Sequence, residues 1–225
     1  MSAPPPTLTP PPSPSTAGPT KAPFVFLGGS CGTTTWRQDI AMPLLEKNGI
    51  TFYNPQVADW NPSLVEKEKV AKAGARVLVF VISRQTSSTA TMIEVAYYIG
   101  LRRNGLFLQA DAVLGQAKAI APADVNRARA YLVDVAKLEG VHLPEAIASS
   151  NSVVVMMQAS YLIGAKKHDV LAKMGRDGGG GAEDGMKTRE LLEELARRAG
   201  LTLFEDVTDM MEHVVMYYQV NKHLH

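Results

Sequence analysis

Residues 76–108 read RVLVFVISRQTSSTATMIEVAYYIGLRRNGLFL, and this stretch decides the fold class. After Arg76 the chain is apolar and rich in β-branched residues up to Ile82, which predicts a strand buried on both faces. A polar loop at residues 83–90 precedes a predicted helix at residues 92–101, and residues 106–108 predict a further short strand. Strand, helix and strand in this order make a βαβ unit, which predicts a parallel sheet.

The same alternation precedes this unit. Strand, helix, strand and helix are predicted in turn at residues 24–27, 36–48, 50–53 and 64–74. Gly28-Gly29 close the first strand, and Asn48-Gly49 end the first helix. Strands that alternate with helices through short connections predict an α/β fold with a doubly wound parallel sheet and helices on both faces.

Beyond residue 109 the sequence predicts additional C-terminal helices in the same domain, which we place at residues 23–225. These helices lie at residues 125–139, 149–174, 186–199 and 208–220. Val153-Val154-Val155 is equally compatible with a strand, and residues 201–204 predict one more strand. Four successive glycines within residues 175–185 predict a flexible insertion.

The first 22 residues differ in composition from the rest of the chain. They consist mainly of proline, serine, threonine and alanine, which offers little surface to bury and favours extended polyproline conformers. We expect a disordered tail. A proline-motif ligand for a partner protein is the alternative.

Composition narrows the class of protein. The 225 residues include 23 basic and 22 acidic side chains, a formal net charge of +1, so nucleic acid is not expected as a partner. Cys31 is the single cysteine, which excludes an internal disulfide framework and favours a cytoplasmic location. There is neither a secretion signal nor a long apolar run, so no membrane association is expected. The five histidines lack metal-ligand spacing, so no metal and no cofactor are predicted.

Ligands of open parallel sheets bind beyond the carboxyl ends of the strands, where residues 28–34, 54–60 and 83–94 are expected to meet. The first of these segments, which contains Gly28, Gly29 and Ser30, offers backbone amides and hydroxyls that suit a sugar or a phosphate. It matches neither the dinucleotide fingerprint nor the phosphate-binding loop of NTPases, which disfavours a dehydrogenase or an NTPase. The two glycines are also explained by a tight turn alone.

Thr91-Met-Ile-Glu94 is the motif with the most direct chemical meaning. Threonine followed three residues later by glutamate matches a capping box at a helix start. A carboxylate in the first turn of a helix is also kept ionised by the helix dipole, which suits a nucleophile that attacks an anomeric carbon. The spacing supports both interpretations.

Several ordered blocks resemble the nucleoside 2-deoxyribosyltransferase superfamily. They are Phe24-Val-Phe-Leu-Gly-Gly-Ser, Trp36-Arg37, Tyr53-Asn54-Pro55, Val77-Leu-Val-Phe-Val-Ile, and residues 88–100 with Met92-Ile93-Glu94-Val95-Ala96. The resemblance implies a flavodoxin-like fold in which Glu94 attacks C1′ of a nucleoside, expels the base and forms a glycosyl-enzyme. It also implies a nucleoside or nucleotide ligand and a homo-oligomer.

The chain departs from the family at two positions. Arg76 and Ser88 stand where the transferases usually carry aspartates. Ser88 resembles the hydroxyl that relatives acting on deoxynucleoside 5′-monophosphates use at the phosphate, so a nucleotide N-hydrolase is one expectation. Asp59 is our candidate for the acid that protonates the leaving base, although a turn residue explains it as well.

The remaining candidates for substrate binding are Trp36, Arg37 and Asn54. Trp36, Tyr53, Trp60 and Tyr97 could stack on a base or belong to the core, and Arg37 could bind a phosphate or lie exposed in its helix. The alternative function is a non-catalytic nucleotide-binding or protein-interaction module that retains the fold. A phosphoribohydrolase-like enzyme is a third interpretation, which Thr91 and Glu94 fit but the distant Gly28-Gly29 do not.

Overall fold

The computed structural model describes residues 22–29, 34–57, 63–83, 86, 88–101, 103–110, 122–167 and 185–223. Its centre is one five-stranded, fully parallel sheet in the order β2-β1-β3-β4-β5. The strands are β1 Val25–Gly29, β2 Phe52–Tyr53, β3 Val77–Ile82, β4 Leu106–Ala110 and β5 Leu203–Phe204. This strand order is the flavodoxin-like form of the doubly wound sheet, and it confirms the predicted fold class.

Helices follow the strands as expected. A π-helical turn at Arg37–Ala41 continues into α1 Met42–Lys47. The others are α2 Ser63–Gly74, α3 Thr89–Gly100, α4 Pro122–Leu138, α5 Glu145–Ala148, α6 Val153–Gly164, α7 Gly185–Arg198 and α8 Val207–Asn221. Residues 153–155 are therefore helical, and the strand alternative for the three valines is wrong.

Two hydrophobic cores cover the two faces of the sheet. On one face, α1 and α8 pack on Val25, Leu27 and the odd-numbered residues of β3. On the other face, side chains of α2, α3, α4, α6 and α7 pack on Phe26, Phe80 and their neighbours. All six residues of β3 are buried, as expected for the central strand between two helical layers.

The helix that carries Glu94 is held firmly. Ten of the twelve residues of α3 are buried. The helix α6 crosses it closely, and the Ser160 hydroxyl donates a 2.9 Å hydrogen bond to the Ile93 carbonyl. A Cβ atom on Gly164 would lie 2.3 Å from the Tyr97 carbonyl oxygen, so only glycine permits this approach. The C-terminal helices thus fix the position of α3.

Two sequence expectations fall outside the described residues. The proline-rich tail lies there except for its last residue, Ala22, and so does the glycine-rich insertion except for Gly185, at which α7 begins. Within the described residues, none of the helices combines the length and the apolar character needed to cross a membrane.

Candidate functional site

The sheet order brings together the carboxyl ends of the three strands that precede the candidate segments. The ends of β2 and β3 flank the end of β1. After β2, the Gln56 side chain donates to the Thr34 carbonyl at 3.3 Å and accepts from Gln38 at 2.8 Å. The segments after β1 and β2 are therefore in direct contact.

Both glycines at the end of β1 are required sterically. A Cβ atom on Gly28 would lie 2.4 Å from the Phe80 ring. Gly29 has φ +112°, and its Cβ would lie 2.6 Å from the Val81 carbonyl oxygen. The interpretation of these glycines as packing residues has a structural basis, and a role in ligand binding stays a prediction. Ser30 and Asp59 lie outside the described residues.

Arg37 is neither exposed nor in an ordinary first-turn position. It is one of the largest fully buried side chains. Its Nε donates to the Leu27 carbonyl at 3.0 Å and Nη2 to the Gly29 carbonyl at 2.9 Å. The expectation of an exposed arginine is therefore wrong, because the guanidinium satisfies the carbonyl groups where β1 ends.

The other predicted side chains near this edge have structural contacts. Trp36 is 8 % exposed and belongs to the core beneath α1. The Asn54 side-chain oxygen Oδ1 accepts a 3.0 Å hydrogen bond from the Gln56 backbone amide, which shapes the turn after β2. Tyr53 stacks on Phe26 with ring centroids 5.6 Å apart. The Tyr97 hydroxyl donates to a carboxylate oxygen of Glu139.

Ser88 forms the corner between β3 and α3. It adopts a left-handed conformation with φ 47° and precedes the first helical residue, Thr89. Its side chain is buried, and its Oγ lies 2.7 Å from Thr86 Oγ1. The hydroxyl is therefore positioned at the carboxyl edge of the sheet, where the sequence analysis expected it.

The helix α3 begins earlier than expected. The predicted start at Met92 is wrong, because residues 89–91 already belong to the helix. Thr91 is thus an internal helical residue, and the capping-box interpretation of Thr91 and Glu94 fails. Glu94 lies in the second turn instead of the first, so the dipole of its own helix acts on it less strongly than expected.

A buried ion pair fixes the Glu94 side chain. Its Oε1 lies 2.6 Å from Lys72 Nζ, and the two side chains are 12 % and 15 % exposed. The contact is an ion pair, because Glu94 Oε1 does not meet the geometry of a hydrogen bond. Lys72 Nζ also lies 3.7 Å from Glu68 Oε2 and 5.0 Å above the centre of the Phe26 ring. We call Glu68, Lys72 and Glu94 the charged cluster.

The charged cluster connects α2 to α3. The ion pair between Lys72 of α2 and Glu94 of α3 is a direct contact between the two helices. Sequence analysis missed Lys72 and Glu68, because α2 reads as an ordinary polar helix. Their four-residue spacing was the available signal, since it places both side chains on one helix face.

The pKa values around the cluster respond to the charge of Glu94. Burial alone lowers the pKa of Lys72, but the Glu94 and Glu68 carboxylates outweigh it, and the pKa lies above its ordinary value. Burial, assisted by the charge of Glu94, raises the pKa of Glu68 although Lys72 opposes this shift. Burial and Glu94 likewise raise the pKa of Tyr98 to about 12 and that of Tyr131 well above its usual range.

A cleft of about 440 Å³ lies elsewhere, at the amino end of β4. Arg103, Tyr161 and Tyr217 are among its lining residues, whereas Glu94, Ser88 and Gly28 are not. The size of this cleft is ordinary for a ligand site. The chemistry of Glu94 nevertheless belongs to the charged cluster and not to the cleft.

Comparison with known proteins gives one match. A family model described as nucleoside 2-deoxyribosyltransferase like matches residues 22–112. No curated protein and no solved structure matches the chain. The matched segment runs from β1 through β4 and contains the whole charged cluster. Residues 22–112 of this protein are therefore similar to the nucleoside 2-deoxyribosyltransferase-like family, and the match covers less than half of the chain.

Proposed function

We propose that this protein cleaves the N-glycosidic bond of a (deoxy)nucleoside or a nucleoside 5′-monophosphate, or transfers its sugar to a second base, with Glu94 as the nucleophile. The observation that carries the proposal is the ion pair between Glu94 and Lys72. This ion pair supports an ionised Glu94 carboxylate in a largely desolvated position on α3, within the residues that the family model matches. A charged and poorly hydrated carboxylate is a good nucleophile toward an anomeric carbon.

The reaction follows the logic of retaining glycosyl transfer. Glu94 bonds to C1′ as the base leaves, and the resulting glycosyl ester is attacked by water or by a second base. Splitting one difficult displacement into two steps lowers the barrier of each. Hydrolysis and transfer differ only in the acceptor of the second step.

The edge of the sheet supplies candidate contacts for the rest of the substrate. We assign the Ser88 hydroxyl to a 5′-phosphate, and the backbone around Gly28, Gly29 and Ser30 to the sugar or the phosphate, as expectations from the sequence. Ser88 instead of an aspartate removes a negative charge that would repel a phosphate. A nucleoside 5′-monophosphate is therefore the preferred substrate class in this proposal.

Release of free base tests the proposed activity. We expect the wild type to release base from a set of deoxynucleosides and their 5′-monophosphates, followed by chromatography. Glu94→Gln should lose at least about 100-fold in rate, because the amide is a poor nucleophile. Glu46→Gln, an exposed glutamate of α1, is the matched control and should keep full activity. Equal rates for Glu94→Gln and wild type would refute the assignment.

A non-catalytic nucleotide-binding module is the second candidate. The replacement of both family aspartates by Arg76 and Ser88 favours it. This function predicts that deoxynucleoside 5′-monophosphates raise the melting temperature without any base release, since a ligand selective for the folded state stabilises it by mass action. Turnover of any of these nucleotides would exclude it.

A further inference from the structure

The charged cluster holds two carboxylates in unequal environments around one ammonium group. Glu94 Oε1 lies 2.6 Å and Glu68 Oε2 3.7 Å from Lys72 Nζ. The Glu68 side chain is 24 % exposed, about twice the exposure of Glu94. Two carboxyl groups that differ in charge and access are the usual equipment for cleaving a glycosidic bond.

We propose that Glu68 is the proton donor to the leaving base, and that Lys72 is a positioning residue that holds Glu68 and Glu94 around one ammonium group. This inference rests on the proposed function, because it assigns the acid for the reaction in which Glu94 is the nucleophile. It gives the acid role to a residue of α2 in place of Asp59. Glu68 belongs to α2 and Glu94 to α3, and the two carboxylates lie on either side of the Lys72 ammonium group at 3.7 Å and 2.6 Å.

The groups that face Glu68 determine its protonation. The charged groups that shift the pKa of Glu68 are Lys72 on its own helix, Glu94 on α3 and Arg37 after β1. The two cations favour the charged carboxylate, whereas burial and the charge of Glu94 favour the neutral acid. The latter effects prevail and raise the pKa of Glu68, which supports its use as an acid.

The net charge around Lys72 stays constant when Glu68 acts as the acid and Glu94 as the nucleophile. The proposed step begins with a proton on Glu68, an ammonium ion at Lys72 and a carboxylate at Glu94. As a Glu94 oxygen bonds to C1′, the C1′–N bond breaks, its electron pair goes to the base, and the Glu68 proton moves to a base nitrogen. Glu94 is then a neutral ester and Glu68 a carboxylate, so the buried ammonium keeps one counter-charge throughout.

The second step restores the cluster. In hydrolysis, the water oxygen bonds to C1′, the ester bond to Glu94 breaks, and its electron pair returns to the Glu94 oxygen. The water proton moves to Glu68, which becomes a neutral acid again. Lys72 faces one negative charge before, between and after the two steps, so it need not change its own protonation.

A substrate whose base leaves without being protonated distinguishes a proton-donor role of Glu68 from a structural role. N7-methyl-2′-deoxyguanosine 5′-monophosphate carries a cationic base that leaves as a neutral molecule without protonation, whereas unmethylated 2′-deoxyguanosine 5′-monophosphate profits from an acid. We expect Glu68→Gln to lose at least about 100-fold in kcat/KM on the unmethylated nucleotide. On the methylated nucleotide, corrected for its spontaneous decay, the variant should stay close to wild type.

The pH profile gives an independent readout. Wild-type activity on the unmethylated nucleotide should fall as the pH rises and Glu68 loses its proton, and Glu68→Gln should lack this decline. Glu66→Gln, an exposed glutamate of the same helix, is the matched control and should keep the wild-type profile. Circular dichroism of each variant establishes that it is folded.

The outcomes distinguish the two claims. If wild type releases no base from either probe or from pyrimidine nucleotides, the proposed function fails and this inference with it. If wild type is active but Glu68→Gln slows both probes equally, or neither, the role of Glu68 is refuted while Glu94 remains the nucleophile. Glu94→Gln should be impaired on both probes, since both reactions need the nucleophile.

Discussion

Replacing Lys72 by methionine is the most informative perturbation of stability in this structure. Methionine matches the length of the lysine stem but leaves the buried Glu94 carboxylate without its counter-charge. It also leaves Glu68 and Glu94 as two neighbouring carboxylates with no cation between them. We therefore expect a large loss of unfolding free energy from a substitution that adds no bulk.

The magnitude follows from the geometry. At 2.6 Å and an effective dielectric constant of about 20, the attraction between Lys72 and Glu94 is about 6 kcal/mol. Desolvation of both groups offsets part of it, and removing one partner of a buried pair usually costs 3–5 kcal/mol, as an order of magnitude. Because both side chains keep some exposure, we predict a loss of about 3 kcal/mol at neutral pH.

Urea unfolding measured by far-UV circular dichroism tests this value. Lys69→Met is the matched control, because Lys69 lies on the same helix and its pair with Asp134 is about half exposed, so its loss should stay below about 1 kcal/mol. The double variant Lys72→Met/Glu94→Gln should recover much of the loss, since it removes the unpaired charge. A Lys72→Met variant within about 0.5 kcal/mol of wild type would refute the description of a buried, coupled pair.

Three further predictions concern the surroundings of the site. Gly29→Ala should destabilise the fold by about 1–3 kcal/mol, because φ +112° and the Val81 carbonyl 2.6 Å from a Cβ both oppose a side chain; an unchanged urea midpoint would contradict this. Arg37→Met should cost about 3 kcal/mol, because two carbonyl groups at the end of β1 lose charge-assisted donors. Arg37→Lys should recover only part of it in the same assay, and full recovery would argue against the two-donor geometry. Above pH 10 the unfolded chain ionises its tyrosines before Tyr98, whose pKa is about 12 in the folded protein, so stability should fall as pH rises from about 10 to 12. Tyr98→Phe should show a smaller decline, and equal declines in the two proteins would exclude this contribution.

Most of the strands and helices could be predicted from the sequence. The six apolar residues of β3 and the glycines after β1 have local signatures, because a central strand is apolar on both faces and a tight approach excludes side chains. The first residue of α3 was harder to predict from the sequence. Thr89, Ala90 and Thr91 lack apolar periodicity, and in the structure the helix begins at Thr89, directly after Ser88 in its left-handed conformation.

The site could be predicted only in part, because its partners are distant in sequence. Glu94 was identified by resemblance, but Lys72 is 22 positions earlier on a helix that reads as solvated. Only the sheet order places α2 beside α3 and lets the ammonium reach the carboxylate. Arg37 was misjudged for a related reason. The Leu27 and Gly29 carbonyl groups accept hydrogen bonds from it, and their positions are fixed only when the chain has folded.

The central claim is that the Glu94 carboxylate bonds to a sugar carbon. Acid quenching of wild type during turnover of a deoxynucleoside 5′-monophosphate, followed by peptide mass spectrometry, tests it directly. We predict that the peptide with Glu94 gains the mass of a deoxyribose 5-phosphate residue, and that Glu94→Gln shows no such adduct. Base release by wild type with no adduct on this peptide, or an adduct that persists in Glu94→Gln, would contradict the account.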